Sequence, residues 1–401
     1  MKLVFSILLF LPLFAGAGLS SYSPRDLLIP SAISSPQTFA PRDQITPSEL
    51  SEDLDTLTAA FRNGYGGWKK NGPQMEERIF PFLRTQSTKS FSTDQFCILV
   101  GSTLDNVMDN HIGVRAYRAG PPCGKTSFKL GSVGKNIKPK GGTPWGYFER
   151  TINSISIPII AITEMSLSEN SGWSGFLEKT AKIKQEAKAL IVDLRGNHGG
   201  DDSKPHELAR ILYGIEDQAV MLYPPANVVQ RQSPEAMGLF SNSFLFSILS
   251  FRFRKLPPPP DLENIQNLYL NKFEEALAGR LPSEEKLEIP PFEFDKTKIF
   301  KGPIRLLVDS ECASSCESVI MFFKNHPNAK IVGENSAGFV HFGNVGMVWL
   351  KNSNIFVAVP TSGHEYKDGT FVEKTGFPPD IRVPSGQDAL EIALKEIEKR
   401  N

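Results

Sequence analysis

The most constraining stretch is Ile304 to Lys324, IRLLVDSECASSCESVIMFFK. Ile304 to Val308 has the length and composition of a buried strand. A small-residue turn, Glu311-Cys312-Ala313-Ser314-Ser315, comes next, and Val319, Ile320, Phe322 and Phe323 then recur at helical spacing. A helix therefore begins near Ser314 or Ser315. A serine at that junction sits where unpaired backbone N–H groups and the positive end of a helix dipole point outward. Such a place stabilises an alkoxide or a tetrahedral oxyanion. It also suits a serine that does no more than cap the helix, which is the commoner role.

Around this stretch the chain reads as an α/β core with additions. Met1-Lys2 leads into the short apolar run LVFSILLFLPLFAGA, which ends in Ala15-Gly16-Ala17. This is the layout of a secretory signal peptide over 1–17, so the mature protein is expected to be exported, to a periplasm or the medium. The 44 basic and 44 acidic side chains balance, and that gives no sign of nucleic acid or an anionic membrane as partner. No stable membrane insertion is expected. Cys97, Cys123, Cys312 and Cys316 suit either two disulfides in an oxidising compartment or buried thiols, and their pairing stays open.

Residues 18–45, rich in Ser and Pro, read as an extended lead-in. Thr46-Pro47-Ser48-Glu49 starts a helix with Leu50, Leu54, Leu57 and Phe61 on one face, the first of a small helical domain over 46–109. Residues 110–213 and 301–401 read as the core, in which strands such as Ile157–Ile162 and Ala189–Asp193 alternate with helices. Between them, 214–300 is too long for a loop and reads as a mostly helical insertion, a lid or subdomain. Its aromatic piece, Met237 to Phe253, is expected to pack internally. In Arg195-Gly196-Asn197-His198-Gly199-Gly200 a strand runs into glycines that let backbone N–H groups approach a ligand.

Four pieces in order resemble a known family. Asp193 to Gly200 is similar to the "DLRxNxGG" turn of the C-terminal processing (tail-specific) peptidases, and Ala313-Ser314-Ser315-Cys316-Glu317 to their "ASASE" nucleophile turn. Val332-Gly333-Glu334 and Gly376-Phe377-Pro378-Pro379-Asp380-Ile381 resemble the "VGE" and "GVxPDI" elements. The resemblance implies a β/α spiral of the crotonase and Clp-protease kind and a protein or peptide substrate. Many members pair serine with a lysine just after "VGE", but here Asn335 to His341 holds no lysine. The Ser–His branch typified by the tricorn core protease is the better likeness. It implies Ser314 as nucleophile, His111 in the Asp109-Asn110-His111-Ile112 turn as general base, and Glu373 as the acid that orients the imidazole.

The backbone N–H groups of Ser315 and Gly199 or Gly200 are the expected oxyanion donors. His341 and His364 are rival bases and Glu365 the rival acid, whereas His198, His206 and His326 read as surface or turn residues. Only Gly113 to Ser156 is available for the PDZ domain common in tail-specific members, about half of what one needs, so selection of substrate C-termini is not implied. No cofactor or metal is called for. Two other function classes fit the same scaffold: a non-catalytic protein that binds an apolar ligand or peptide, and a serine esterase. The oligomeric state is not legible.

Overall fold

The computed structural model describes residues 22–116, 122–124, 130–139, 143–165 and 172–399. The segment expected as a signal peptide lies outside them. Twelve strands and ten α-helices are described, and the strands make two sheets.

The first sheet is the core. Its order is β12 (Ile381–Arg382), β9 (Ala329–Gly333), β8 (Ile304–Val308), β5 (Leu190–Asp193), β4 (Ile155–Ile162) and β3 (Trp145–Ile152). All neighbours are parallel except β3, which runs antiparallel to β4. Parallel strands need crossovers, and helices supply them on both faces. α5 (Trp173–Glu186), α6 (Ser203–Tyr213) and α9 (Ser315–Phe323) lie on one side. α10 (Ala389–Glu398) covers the other with Ala389, Leu390, Ala393 and Ile397. Every residue of β5 and of β8 is buried, which explains why both read as unbroken apolar runs.

The second sheet is antiparallel and was only partly visible in the sequence. Its central hairpin is β10 (Phe342–Leu350) with β11 (Ile355–Tyr366). The other edge of β11 pairs first with β1 (Gly113–Arg115) and then with β6 (Ala226–Arg231). β2 (Pro122–Cys123) and β7 (Glu284–Ile289) complete it. Against it pack α1 (Pro47–Ala59), α2 (Trp68–Gln74), α3 (Phe80–Gln86) and α4 (Thr93–Leu104), with Leu50, Leu54, Leu57, Phe61 and Phe96 facing Val348, Leu350, Val357 and Val359. Thr46 and Glu49 close a capping box on α1.

The insertion holds α7 (Pro234–Phe253) and α8 (Pro260–Leu277), but β6 and β7 at its two ends belong to the second sheet. α7 is long and apolar enough to cross a membrane by length and composition, and half of its most apolar window is buried inside the protein. Its Leu245 and Leu249 cluster with Phe39 and Phe356. The lead-in is correspondingly anchored rather than merely extended: Leu27, Ile29 and Phe39 are buried, and Asn242 of α7 donates to Leu27 O at 2.9 Å and accepts from Ile29 N–H at 2.9 Å.

Candidate active site

The nucleophile turn is held from every side. β8 ends at Val308, α9 begins at Ser315, and between Cys312 and Phe323 every residue is buried except Ser314. Ser314 has φ 56° and ψ −123°, a left-handed conformation that a non-glycine residue adopts only when its surroundings impose it. Three constraints impose it here. The Ala313 N–H donates to Asn197 O at 3.2 Å, and the Ala337 N–H donates to Cys312 O at 2.9 Å. Cys312 and Cys316 form a disulfide that brackets the turn, and Cys97 and Cys123 form the other. The Ser314 N–H donates to Glu317 Oε2 at 3.2 Å, three residues into α9.

The Ser314 Oγ lies 3.2 Å from His111 Nε2. The His111 turn is built from backbone hydrogen bonds to buried carboxyls. The Asp109 carboxyl accepts the His111 N–H and the Tyr65 hydroxyl, each at 2.8 Å. Asn110 Nδ2 donates to Gly338 O at 3.0 Å, which ties the turn to the 336–341 segment. The Phe339 ring meets the imidazole edge-on, with centroids 5.1 Å apart. Burial, with His364 nearby adding repulsion between like charges, pushes the His111 imidazole down to about 4. It is therefore neutral at physiological pH, as a general base must be. Its Nδ1 is buried and has no hydrogen-bond partner among the described residues.

Glu373 stands close by in a different role from the one expected. Its carboxyl accepts the Asn110 N–H at 2.8 Å and the His341 N–H at 3.1 Å, and no hydrogen bond joins it to the His111 ring. It orients the imidazole through the backbone, by holding the turn on which His111 sits. Glu373 and Asp109 both titrate above the ordinary carboxylate range, because both are desolvated and their charges repel.

The rivals are placed elsewhere. His341 Nε2 accepts the Val372 N–H at 3.0 Å and Nδ1 lies 3.2 Å from His364 O, so both ring nitrogens are engaged. His364 is on β11 with no bond to Ser314, and Glu365 is an exposed residue 3.9 Å from Lys69. His198 is exposed and pairs with Glu311 at 3.1 Å. His206 and His326, read as surface or turn residues, are both buried, beside Phe322 and Tyr213, with His206 on α6 and His326 in the turn after α9.

The glycine turn divides the expected oxyanion donors. Asp193 and Arg195 form a buried bidentate pair, and Asn197 Nδ2 donates to Ile162 O at 3.0 Å, so these side chains fix the turn rather than face the site. Asn197 Oδ1 also accepts the Gly199 N–H at 2.8 Å, which removes that group as a free donor. Gly199 matters for its lack of a side chain: a Cβ there, at φ +90°, would lie 2.5 Å from Ala313 O and 2.9 Å from Ser315 N. The Ser315 N–H, at the first position of α9, and the Gly200 N–H have no acceptor among the described residues. Ser315 Oγ donates to Gly200 O at 2.8 Å and fixes the two segments side by side.

One residue the sequence reading passed over joins both halves. Glu317, fully buried in α9, accepts the Ser314 N–H at 3.2 Å, the Gly338 N–H at 2.9 Å, the Phe339 N–H at 2.6 Å and the Ser336 hydroxyl. Burial raises its carboxyl to about 7 against these donors. Its position three residues after the N-cap is the capping-box signal that could have found it. Among the described residues no group of three or more His, Cys, Asp or Glu could hold a metal ion.

Residues 156–383 match the model of peptidase family S41. The nisin-resistance protein of Lactococcus lactis subsp. lactis is 28% identical over 208 residues, which are 52% of this chain and 48% of that protein, so the chain spans about half of that relative's length. A putative peptidase from Parabacteroides merdae superposes with a TM-score of 0.50 at 12% identity, over 88% of this chain and 96% of that one. Mature CPAF, solved with lactacystin, gives a TM-score of 0.48 at 14% identity over 88% and 97%. The family match covers more than half of the sequence and includes both the glycine turn and the serine turn: the chain belongs to peptidase family S41, a family of serine peptidases.

Proposed function

We propose that this protein is an exported serine endopeptidase that cleaves peptide bonds through an acyl-enzyme on Ser314, with His111 as general base. The observation that carries the reading is the 3.2 Å approach of a neutral imidazole to the only partly exposed hydroxyl of a strained, disulfide-bracketed turn. Ser314 Oγ attacks the substrate carbonyl as His111 Nε2 takes its proton. The oxyanion forms beside the Ser315 and Gly200 N–H groups at the positive end of α9, and each such donor contributes about 3 to 4 kcal/mol. His111 then gives the proton to the leaving amine, and water releases the acyl group by the same steps. Asp109 and Glu373 serve as positioning residues for the His111 turn. Export is supported by the two disulfides, which persist in oxidising compartments.

Incubation of the protein with a peptide library and with short-chain p-nitrophenyl esters tests the reading. Internal cleavage of peptides, lost in Ser314→Ala, is the expected result. Ester turnover without peptide cleavage would make it an esterase. Neither activity in a folded protein would leave a non-catalytic binding role.

A further inference from the structure

A cavity of about 550 Å³ opens beside His111. Ile112, Val114, Phe246, Phe339, Met347 and Phe356 give it an apolar lining. Its volume falls within the roughly 300–1,000 Å³ of ordinary ligand clefts. Distant parts of the chain build it: Leu104 comes from α4, Val114 from β1, Cys123 from β2, Met347 and Phe356 from the β10–β11 hairpin, and Phe246 from α7 of the insertion. Among its described lining residues only Asp105, His111 and Arg115 are ionisable.

Its placement relative to the reacting atoms gives it a direction. The cavity touches His111 and Asn110 but neither Ser314 and Ser315 nor the 197–200 turn. The acyl half of a substrate is bonded to Ser314 Oγ, with its oxygen toward Ser315 and Gly200. The departing amine must lie against His111, because the imidazolium donates its proton there. A pocket bounded by the imidazole and by none of the oxyanion donors is therefore assigned to the leaving-group side.

We propose that this cavity receives the apolar side chain of the substrate residue immediately C-terminal to the scissile bond, an inference that rests on the acyl-enzyme reading above. The insertion then acts in substrate selection by contributing Phe246 to one wall. Substrates with Leu or Phe at that position bury their side chain against apolar surface, whereas Gly and Asp do not, and a difference of about tenfold or more follows from that burial.

Acyl transfer in reverse isolates this side of the site. The enzyme is acetylated with p-nitrophenyl acetate, then offered water and an amino-acid amide together. When the amine attacks, its N–C bond forms and the bond between Ser314 Oγ and the acetyl carbon breaks. The amine proton passes through His111 to Ser314 Oγ. The ratio of N-acetyl amide to acetate is read by chromatography. Leucinamide and phenylalaninamide are expected to capture the acetyl group about tenfold better than glycinamide or aspartic acid amide. Ala358→Phe, and separately Met347→Trp, fill the cavity. Each is expected to abolish that preference while still forming the acetyl-enzyme, as intact mass shows. Equal capture of all four amides by an acetylated enzyme overturns this inference alone. Failure of the folded wild type to acetylate overturns it together with the acyl-enzyme reading.

Discussion

Glu317 Oε2 accepts the backbone N–H of Ser314 at 3.2 Å and, on its other side, the N–H of Phe339 at 2.6 Å. Phe339 in turn lies edge-on to His111. One buried carboxyl thus links the turn that carries the nucleophile to the segment that backs the base. Glu317→Ala leaves several buried N–H groups without an acceptor. A loss of about 3 kcal/mol or more of folding stability is expected, measured by denaturant titration, together with slower active-site labelling. Glu317→Gln, which keeps one acceptor oxygen, should lose less.

The same residue makes stability depend on pH. Its folded-state pKa is raised to about 7, above the ordinary carboxylate value. A raised carboxyl contributes stability that is fully present below its unfolded pKa and is lost as pH rises through the folded pKa. The melting temperature should therefore fall between about pH 4.5 and pH 7, with Asp109 and Glu373 acting in the same direction. Glu317→Gln should show a shallower fall. An equally steep fall in that variant would remove Glu317 as a source.

His111 sets the acid limb of activity. Its imidazole is held at about 4 by burial, and the proposed base is the neutral form. kcat/KM for peptide substrates should rise with pH through about 4 to 5 and show no further step near 6.5, since it reports the free enzyme's essential groups. An acid limb centred near 6.5 would mean that the titrating base is solvated rather than buried.

Glu373 acts on the imidazole through Asn110 N–H rather than by touching the ring. Glu373→Gln retains one acceptor oxygen and should lower kcat by about tenfold, with KM little changed. The optimum of the pH profile should stay in place, because the group that titrates is His111. A collapse of activity equal to that of Ser314→Ala would assign Glu373 a direct role in proton transfer.

The Cys312–Cys316 disulfide closes a very short loop around Ser314. The double substitution of both cysteines by alanine should cost about 2 kcal/mol of stability by the chain-entropy argument. It should slow labelling of Ser314 more than this loss explains, because the strained φ of 56° loses one of its restraints. Unchanged labelling kinetics would show that Glu317 and the Ala313 and Ala337 hydrogen bonds suffice to hold the turn.

How much of this was legible in the sequence depended on how local the determining contacts are. β8, the serine turn and α9 were readable because an apolar run, small residues and a 3.6-residue period follow one another directly. The α/β core was readable for the same reason. The second sheet was not: β11 finds β1 and β6 at distant positions in the chain, and pairings of that range leave no periodic signal. Leu27, Ile29 and Phe39 lie in a Ser- and Pro-rich stretch with no helical or alternating period, and only α7 and its neighbours give them a core to enter. At the site, Ser314 and His111 were identified through motif turns, and the structure brings them together. The donors were harder. Gly199 stood in the right turn, but nothing in the sequence says that Asn197 two residues earlier takes its N–H. Likewise Glu373 was placed near His111 by its motif, while the route of its influence is set by backbone groups that no pattern of side chains reveals.

Fluorophosphonate labelling of the purified protein tests the central claim most directly. Wild type, Ser314→Ala and His111→Ala are compared by intact mass and by the modified peptide. One adduct on Ser314 is expected in wild type, none in Ser314→Ala, and labelling slowed by about a thousandfold or more in His111→Ala. Labelling of Ser314 that survives unchanged without His111, or a folded wild type that does not react, would contradict the account.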